Sequence, residues 1–148
     1  MTVTPELIAA YERAEFHVYG RKPTVLRIKR DESVAAWLDS VDAHLAFVLS
    51  ASNRLAAPGF AVENLKRQER LIAAVQDARL RWTAAQGTDP AGVLSPVDGV
   101  CVFDAPLALV DEWMRRFEQD LVVQASGSGN VTLRLHPAER PMVAVMPR

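Results

Sequence analysis

Cysteine is nearly absent from this chain. The single one, Cys101, rules out a disulfide framework within the chain and a cage of several thiolates around a metal. A lone thiol suits a reducing compartment. Histidine is almost as scarce: His17, His44 and His136 stand far apart, never at the close spacing with which paired imidazoles share a metal. They read as surface or capping residues. No apolar run approaches the ~20 residues that cross a bilayer. The opening Met1-Thr2-Val3-Thr4-Pro5-Glu6 has no basic stretch leading into an apolar one. The expected location is therefore the cytoplasm, with no membrane partner. Neither sign of charge dominates, with 17 basic against 18 acidic residues and a net charge of −1. No global field draws the protein to nucleic acid, which is not an expected partner.

Catalytic fingerprints are missing as well. No Gly-x-Ser-x-Gly elbow surrounds Ser50 or Ser52. Ser126-Gly127-Ser128-Gly129-Asn130 carries no lysine and leads into a strand rather than a helix, so it reads as a hairpin turn, not a phosphate cradle. Cys101 lies in an apolar run with no base beside it, where a thiol packs as a small hydrophobe. Asp111-Glu112 falls on the expected wet face of a helix. Neither a metal set nor a cofactor fingerprint appears, so no cofactor is expected.

What is present fits one domain over residues 1–148. An apolar fraction of 49% supplies a core, and a chain of this size buries roughly 70% of the surface its unfolded form exposes. Thr4-Pro5-Glu6 is a helix start, followed by Leu7, Ile8 and Tyr11 at helical spacing over residues 4–14. Phe16 and Val18, then Val25, Leu26 and Ile28, predict a hairpin around Gly20-Arg21-Lys22-Pro23. Helices are predicted over residues 31–42, 61–79 and 106–119. Strands are predicted over 45–49, 81–84, 100–103, 121–123, 131–135 and 142–146, with a loop from Gly87 to Gly99. Cys101, Trp113, Phe117 and Val123 fall on the buried stripes. Helices and strands interleave, and several strands have hairpin-length links. The fold class is therefore α+β, a mixed, twisted sheet with helices packed on it.

The dense basic segment Arg21, Lys22, Arg27, Lys29 and Arg30 reads chiefly as protection of an exposed edge strand, because no aromatic residue lies between its cations. The helix over 61–79 breaks its own pattern. Leu71, Ile72, Val75 and Ala78 form its apolar stripe, but three and four residues earlier the same side meets Gln68 and Asn64, flanked by Arg67. Buried amides need partners. The nearest are Ser50, Ser52 and Asn53, just past the strand over 45–49. Asn64 and Gln68 are thus expected to bond the loop after Leu49, as a structural network or as a ligand site at the sheet edge.

Four segments occur in order: Ser50-Ala51-Ser52-Asn53, Glu63-Asn64-Leu65-Lys66-Arg67-Gln68-Glu69-Arg70-Leu71, Gly87-Thr88-Asp89-Pro90-Ala91-Gly92 and Arg115-Arg116-Phe117-Glu118-Gln119-Asp120. Together they resemble a small bacterial family called domain of unknown function 3293. Its members carry Ser/Thr-Ala-x-Asn-Pro, a helix reading Glu-Asn-x-x-Arg-Asn-x-x-Leu, a Gly-x-Asp-Pro-x-Gly loop and an Arg-Arg-Phe-Gly-Gln-Asn helix end. This chain has Arg54 at the family's proline, Gln68 at an asparagine, and Glu118 and Asp120 at its glycine and asparagine. The Trp-Pro and Glu-Pro-Ser residues usual after the Asp-Pro loop are replaced by Val93-Leu94-Ser95-Pro96-Val97-Asp98. The resemblance implies a bacterial protein and marks Ser50, Asn53, Asn64, Arg67, Gln68, Asp89 and Arg116 as candidate ligand contacts, but it implies no activity.

Two functions stay open. One is a non-catalytic binding or interaction module, taking a small anionic or polar ligand or a protein partner. The other is a small enzyme acting on a polar or phosphorylated metabolite, with Arg67 and Arg116 as anion clamps and Asp89 as acid–base group. A pocket joining Asp89, Arg116 and Asn53 favours the enzyme.

Overall fold

The computed structural model describes residues 3–50, 61–92 and 95–140. Helix α1 (Pro5–Arg13) starts where expected, with the Thr4 hydroxyl accepting the Leu7 amide at 3.1 Å. Strands β1 (Glu15–Val18) and β2 (Thr24–Leu26) form the predicted hairpin. Helix α2 (Glu32–Ser40) is capped by Asp31, whose carboxylate accepts the Ser33 amide. There follow β3 (Leu45–Leu49), α3 (Ala61–Asp77), β4 (Trp82–Thr88), β5 (Val97–Phe103), α4 (Leu107–Arg116), β6 (Leu121–Ser126), β7 (Val131–Leu135) and one 3₁₀ turn, Pro137–Glu139. The predicted strand over 142–146 lies outside the described residues.

The class is α+β, but the sheet is not mixed. Its seven strands run in the order β2-β1-β4-β5-β3-β6-β7, and every neighbouring pair is antiparallel. The interleaved order misleads for a definite reason. Helix α3 links β3 to β4, which point the same way, but β5 is inserted between them. Helix α4 links β5 to β6 with β3 between them. Each crossover is split by an antiparallel strand, so β3-α3-β4-β5-α4-β6 is the split β-α-β unit of ferredoxin-like topology. The β1–β2 hairpin and β7 extend it.

The sheet curls into a half-barrel. Its two edges are tied at one point, where the chain beyond β2 meets the start of β7. Val131 donates its amide to Lys29 O at 3.1 Å, and Asp31 to Gly129 O at 2.8 Å. Side chains alternate between the two faces, and each face has its own core. Phe16, Val18, Leu26, Ala46, Val48, Cys101 and Val123 point into the curl, where α2 fills the hollow with Val34, Trp37 and Leu38. Phe47, Leu49, Val100, Val102 and Val122 point outward under Leu71 and Val75 of α3 and Val110, Trp113, Met114 and Phe117 of α4. The predicted burial of Cys101, Trp113, Phe117 and Val123 is observed. Burial pushes the Cys101 thiol far above its ordinary range, which removes it as a nucleophile.

Helices α2, α3 and α4 all end the same way. Ala43 donates to Leu38 O, Leu80 to Val75 O and Gln119 to Met114 O, the long bond of a Schellman motif. The residue before each donor has a left-handed backbone: Asp42 at φ 56°, Arg79 at 58° and Glu118 at 54°. Glycine is the usual occupant, because a Cβ there meets the following carbonyl at a cost of ~1–2 kcal/mol. Arg79→Gly is expected to stabilise the protein by about 1 kcal/mol, part of the relief being offset by the freer unfolded chain. Thermal unfolding checks it: the midpoint rises by about 2–4 °C, and a fall refutes the assignment.

Candidate functional site

The polar corner flagged by the sequence is where β3 ends, α3 begins and α4 stops. Ser50 leaves β3 with its amide on Gln119 Oε1 at 3.2 Å and its hydroxyl donating to Asp98 O at 2.8 Å. Gln119 in turn donates from Nε2 to Phe117 O, and Arg67 Nη2 donates to that same carbonyl at 2.7 Å. Arg67 therefore caps the C-terminus of α4, where unpaired carbonyls and the negative end of the helix dipole favour a cation. The polar break in α3 thus has a structural use at Arg67. Asn64 and Gln68 are half-buried on the same helix. Asn53 and the rest of the loop through residue 60 lie outside the described residues, so the expected amide bonds to that loop fall there too.

Arg67 and Arg116 do come together. With Glu63, Arg70, Phe117 and Glu118 they line a groove of about 270 Å³. The Arg116 guanidinium lies 5.1 Å from the centre of the Phe117 ring, and Glu118 is 3.9 Å from Arg67. Two carboxylates and the end of a helix dipole work against an anion here. Asp89 does not line this groove. It follows β4, which β5 separates from β3, and its carboxylate accepts the Ala91 amide at 3.0 Å in a turn of its own.

The histidines have local roles. His136 is buried, and its Nδ1 accepts the Ala138 amide at the 3₁₀ turn. His17 Nε2 lies 3.1 Å from the Thr88 hydroxyl. Among the described residues no group of three or more His, Cys, Asp or Glu is placed to hold a metal. No helix among them is long and apolar enough to cross a membrane.

The larger concavity lies at the other end of the half-barrel, where β1 runs out, β4 begins and β5 ends. Its volume is about 730 Å³. The turn Gly20-Arg21-Lys22-Pro23 forms one side and is pinned at both ends. Tyr19 donates its amide to Ala84 O, and its carbonyl accepts the Thr83 hydroxyl at 2.9 Å. Trp37 Nε1 donates to Lys22 O at 2.8 Å. Gly20 has φ 111°, and a Cβ there would stand 2.8 Å from Thr83 Oγ1, so the tight turn needs its glycine. The side chains of Arg21 and Lys22 are left exposed on a fixed backbone.

Arg81 forms the opposite side. Its Nη1 and Nη2 donate to Val41 O at 2.6 Å and Asp42 O at 2.7 Å, capping α2 as Arg67 caps α4. The guanidinium lies 5.5 Å from the centre of the Phe103 ring, with Asp104 at 3.8 Å. Trp37 and Phe103, ring centres 5.8 Å apart and both buried, lie beneath the groove; Tyr19 and Trp82 border it, but the Tyr19 phenol reaches Gln86 and Trp82 packs with the core on the other face of the sheet. None of the eleven lining residues is acidic, and three are cations. All three lining hydroxyls are committed: Ser40 donates to Trp37 O, Thr83 to Tyr19 O and the Tyr19 phenol to Gln86 Oε1 at 3.5 Å. Arg21 and Lys22 offer positive charge at its rim, while Arg81 is committed to the α2 carbonyls and paired with Asp104, and none of the described lining residues is a general base.

Sequence reasoning noticed the cations Arg21 and Lys22 but assigned them to edge protection. The ring that pins their turn is Trp37 of α2, fifteen residues from Lys22, which no local pattern reveals. Arg27, on the same hairpin, does serve the edge, pairing with Glu15 across β1 and β2.

Fold and groove define an α+β domain built on an antiparallel half-barrel with a cationic mouth. No protein-family model matches the chain, no curated protein is similar to it at a significant level, and no solved structure matches it.

Proposed function

We propose that the chain is a non-catalytic binding module that holds a small anionic ligand in the groove at the mouth of the half-barrel. One observation carries the reading: a preformed groove of about 730 Å³ is lined by Arg21, Lys22 and Arg81, with no acid among its described lining residues. Its size falls within the ~300–1,000 Å³ of small-molecule sites. With the Ser40, Thr83 and Tyr19 hydroxyls all committed and no base among the described lining residues, the groove is suited to holding rather than turning over. The enzyme reading needs Asp89 beside Arg116, and Asp89 is engaged in its own turn, away from the groove that Arg116 lines. The motifs quoted above support kinship with domain of unknown function 3293 and a bacterial origin. The lone, buried Cys101 is in keeping with the cytoplasm.

The test is a thermal-shift screen of sugar phosphates, pyrophosphate and carboxylates. A hit at ~100 times its dissociation constant adds roughly 2.7 kcal/mol of stability. The shift is expected to vanish in the double variant Arg21→Glu, Lys22→Glu, whose changes lie on exposed side chains, and to survive Arg67→Ala once that variant's own stability is subtracted. A hit that depends on Arg67 and ignores the double variant returns the site to the polar corner. Turnover of a hit compound refutes the non-catalytic reading, and a screen without hits refutes binding.

A further inference from the structure

We infer that the groove takes a phosphate monoester, its doubly charged head seated on the Arg21–Lys22 turn; the inference rests on the binding reading above and narrows its ligand to one class. Arg21 and Lys22 are consecutive, both line the concavity, and both are exposed. No carboxylate among the described lining residues compensates them. Asp104, behind Arg81, is already engaged. Its Oδ1 accepts the His44 and Leu45 amides at 2.8 and 2.9 Å, and its Oδ2 stands 3.8 Å from Arg81. Arg81 in turn is committed to the carbonyls of Val41 and Asp42. Two uncompensated cations therefore face the groove from one turn, and a single negative charge leaves one of them unmatched.

The turn that carries them supplies further donors. The amides of Gly20, Arg21 and Lys22 meet no acceptor among the described residues. The backbone around them is held by the Tyr19 amide on Ala84 O, the Thr83 hydroxyl on Tyr19 O and Trp37 Nε1 on Lys22 O. Donors fixed before the ligand arrives lose little freedom when it binds. A carboxylate has two oxygens in one plane and suits a single guanidinium fork. A phosphate monoester carries close to two negative charges at neutral pH and three strong acceptor oxygens. It can give separate oxygens to the Arg21 fork, the Lys22 ammonium and the turn amides. A groove of about 730 Å³ is far larger than that head and leaves room for the organic remainder of an ester.

Calorimetric titration of the full chain tests the assignment with three sugars of one ring type: glucose 6-phosphate, glucose 6-sulfate and glucuronate. The sulfate ester keeps the tetrahedral head with one charge, and glucuronate has one charge on a planar head. At about pH 7, glucose 6-phosphate is expected to bind about tenfold more tightly than either, the effect of one extra charge on two exposed and partly screened cations. The groups that face the site are Arg21, Lys22, Arg81 and the Tyr19 phenol, with Asp104 behind Arg81. Histidine ordinarily changes charge between pH 5 and 8, and none is among the described lining residues. The ligand does change: a phosphate monoester loses its second charge below about pH 6. Its lead is therefore expected to shrink toward parity at about pH 5, while the affinity of the sulfate ester stays constant. Arg21→Ala and Lys22→Ala, on exposed side chains, are each expected to weaken the phosphate more than the sulfate. Equal affinity for the two esters at about pH 7, a lead that persists unchanged at about pH 5, or tighter binding of glucuronate overturns the monoester assignment and leaves the binding module standing. Failure of all three to bind overturns both. A phosphoserine peptide bound more than tenfold tighter than glucose 6-phosphate overturns the assignment to a small ligand.

Discussion

Replacing Asp111 by asparagine is expected to destabilise the fold by about 3 kcal/mol. The sequence places Asp111 beside Glu112 on the wet face of α4, as a pair of solvated acids. Glu112 is indeed exposed, but the Asp111 side chain keeps only 14% of its surface. It receives Arg134 Nε and Nη2 from β7 at 2.9 and 3.0 Å, and Arg140 Nη1 and Nη2 from beyond the 3₁₀ turn at 3.1 and 2.5 Å. One carboxylate thus fixes α4 to the last strand and to the chain that follows it. Asparagine keeps the shape but leaves two guanidiniums facing each other without a counter-charge. Breaking a buried pair costs ~3–5 kcal/mol. The partial exposure of Arg140, at 33%, puts this case at the low end. A urea midpoint unchanged in Asp111→Asn refutes the account.

The same cluster sets a pH dependence. Burial alone would raise the Asp111 carboxyl, but the hydrogen bonds and charges of Arg134 and Arg140 outweigh it and hold the group at about 2, against an ordinary 3.8. A carboxyl depressed in the folded state stabilises the fold at pH values above its unfolded pKa. That contribution is lost as pH falls through the folded one. A shift of this size amounts to about 2 kcal/mol. The stability gap between the wild type and Asp111→Asn is therefore expected to narrow between roughly pH 5 and pH 2. A gap that stays constant to pH 2 assigns the loss to packing instead.

Local signals made the elements legible, and long-range pairing decided what was not. Thr4-Pro5 and Asp31 announce their helices because a cap acts on the next turn. The alternation Val131, Leu133, Leu135 announces a strand with one covered face. The extent of β4 has no such signal. Gly87-Thr88 reads as the start of a loop, yet the ladder continues because Phe16 and Glu15 of β1 pair with Gly87 and Thr88. Nor does interleaving of helices and strands tell a parallel neighbour from a crossover split by an antiparallel strand.

The candidate sites divide along the same line. The polar break at Asn64, Arg67 and Gln68 was visible as a fault in a helical stripe. The acceptor that Arg67 serves is the backbone carbonyl of Phe117, and a carbonyl has no side-chain signature. The mouth groove has no local signature because the Arg21–Lys22 turn, the C-terminal end of α2 and Arg81 at the entry to β4 meet only in the folded chain.

A second large effect is expected at Gly99, where Gly99→Ala should cost about 3 kcal/mol. The sequence ends its loop at this residue and starts the strand at Val100. In the structure β5 begins at Val97, and Gly99 is a buried ladder position paired with Ala85. Glycine in a strand interior often marks the close approach of another backbone, and here that backbone is the exit of β3. A Cβ on Gly99 would stand 2.4 Å from Leu49 O and 3.3 Å from Leu49 C. Leu49 O is a main-chain atom between β3 and a residue anchored by its own bonds to Gln119 and Asp98, so it has no flexible tip to swing aside. Overpacking a well-filled site costs ~1–3 kcal/mol, and a backbone obstacle takes this site to the top of that range. The melting midpoint is expected to fall by about 6–12 °C. Because the methyl group pushes on the chain at Ser50, the damage should extend to the Ser50–Asp98 bond. Ser50→Ala is then expected to cost less in the Gly99→Ala background than in the wild type, which a double-mutant cycle measures. Strictly additive losses would separate the two, and a midpoint within 2 °C of wild type for Gly99→Ala would mean that β3 and β5 do not approach this closely.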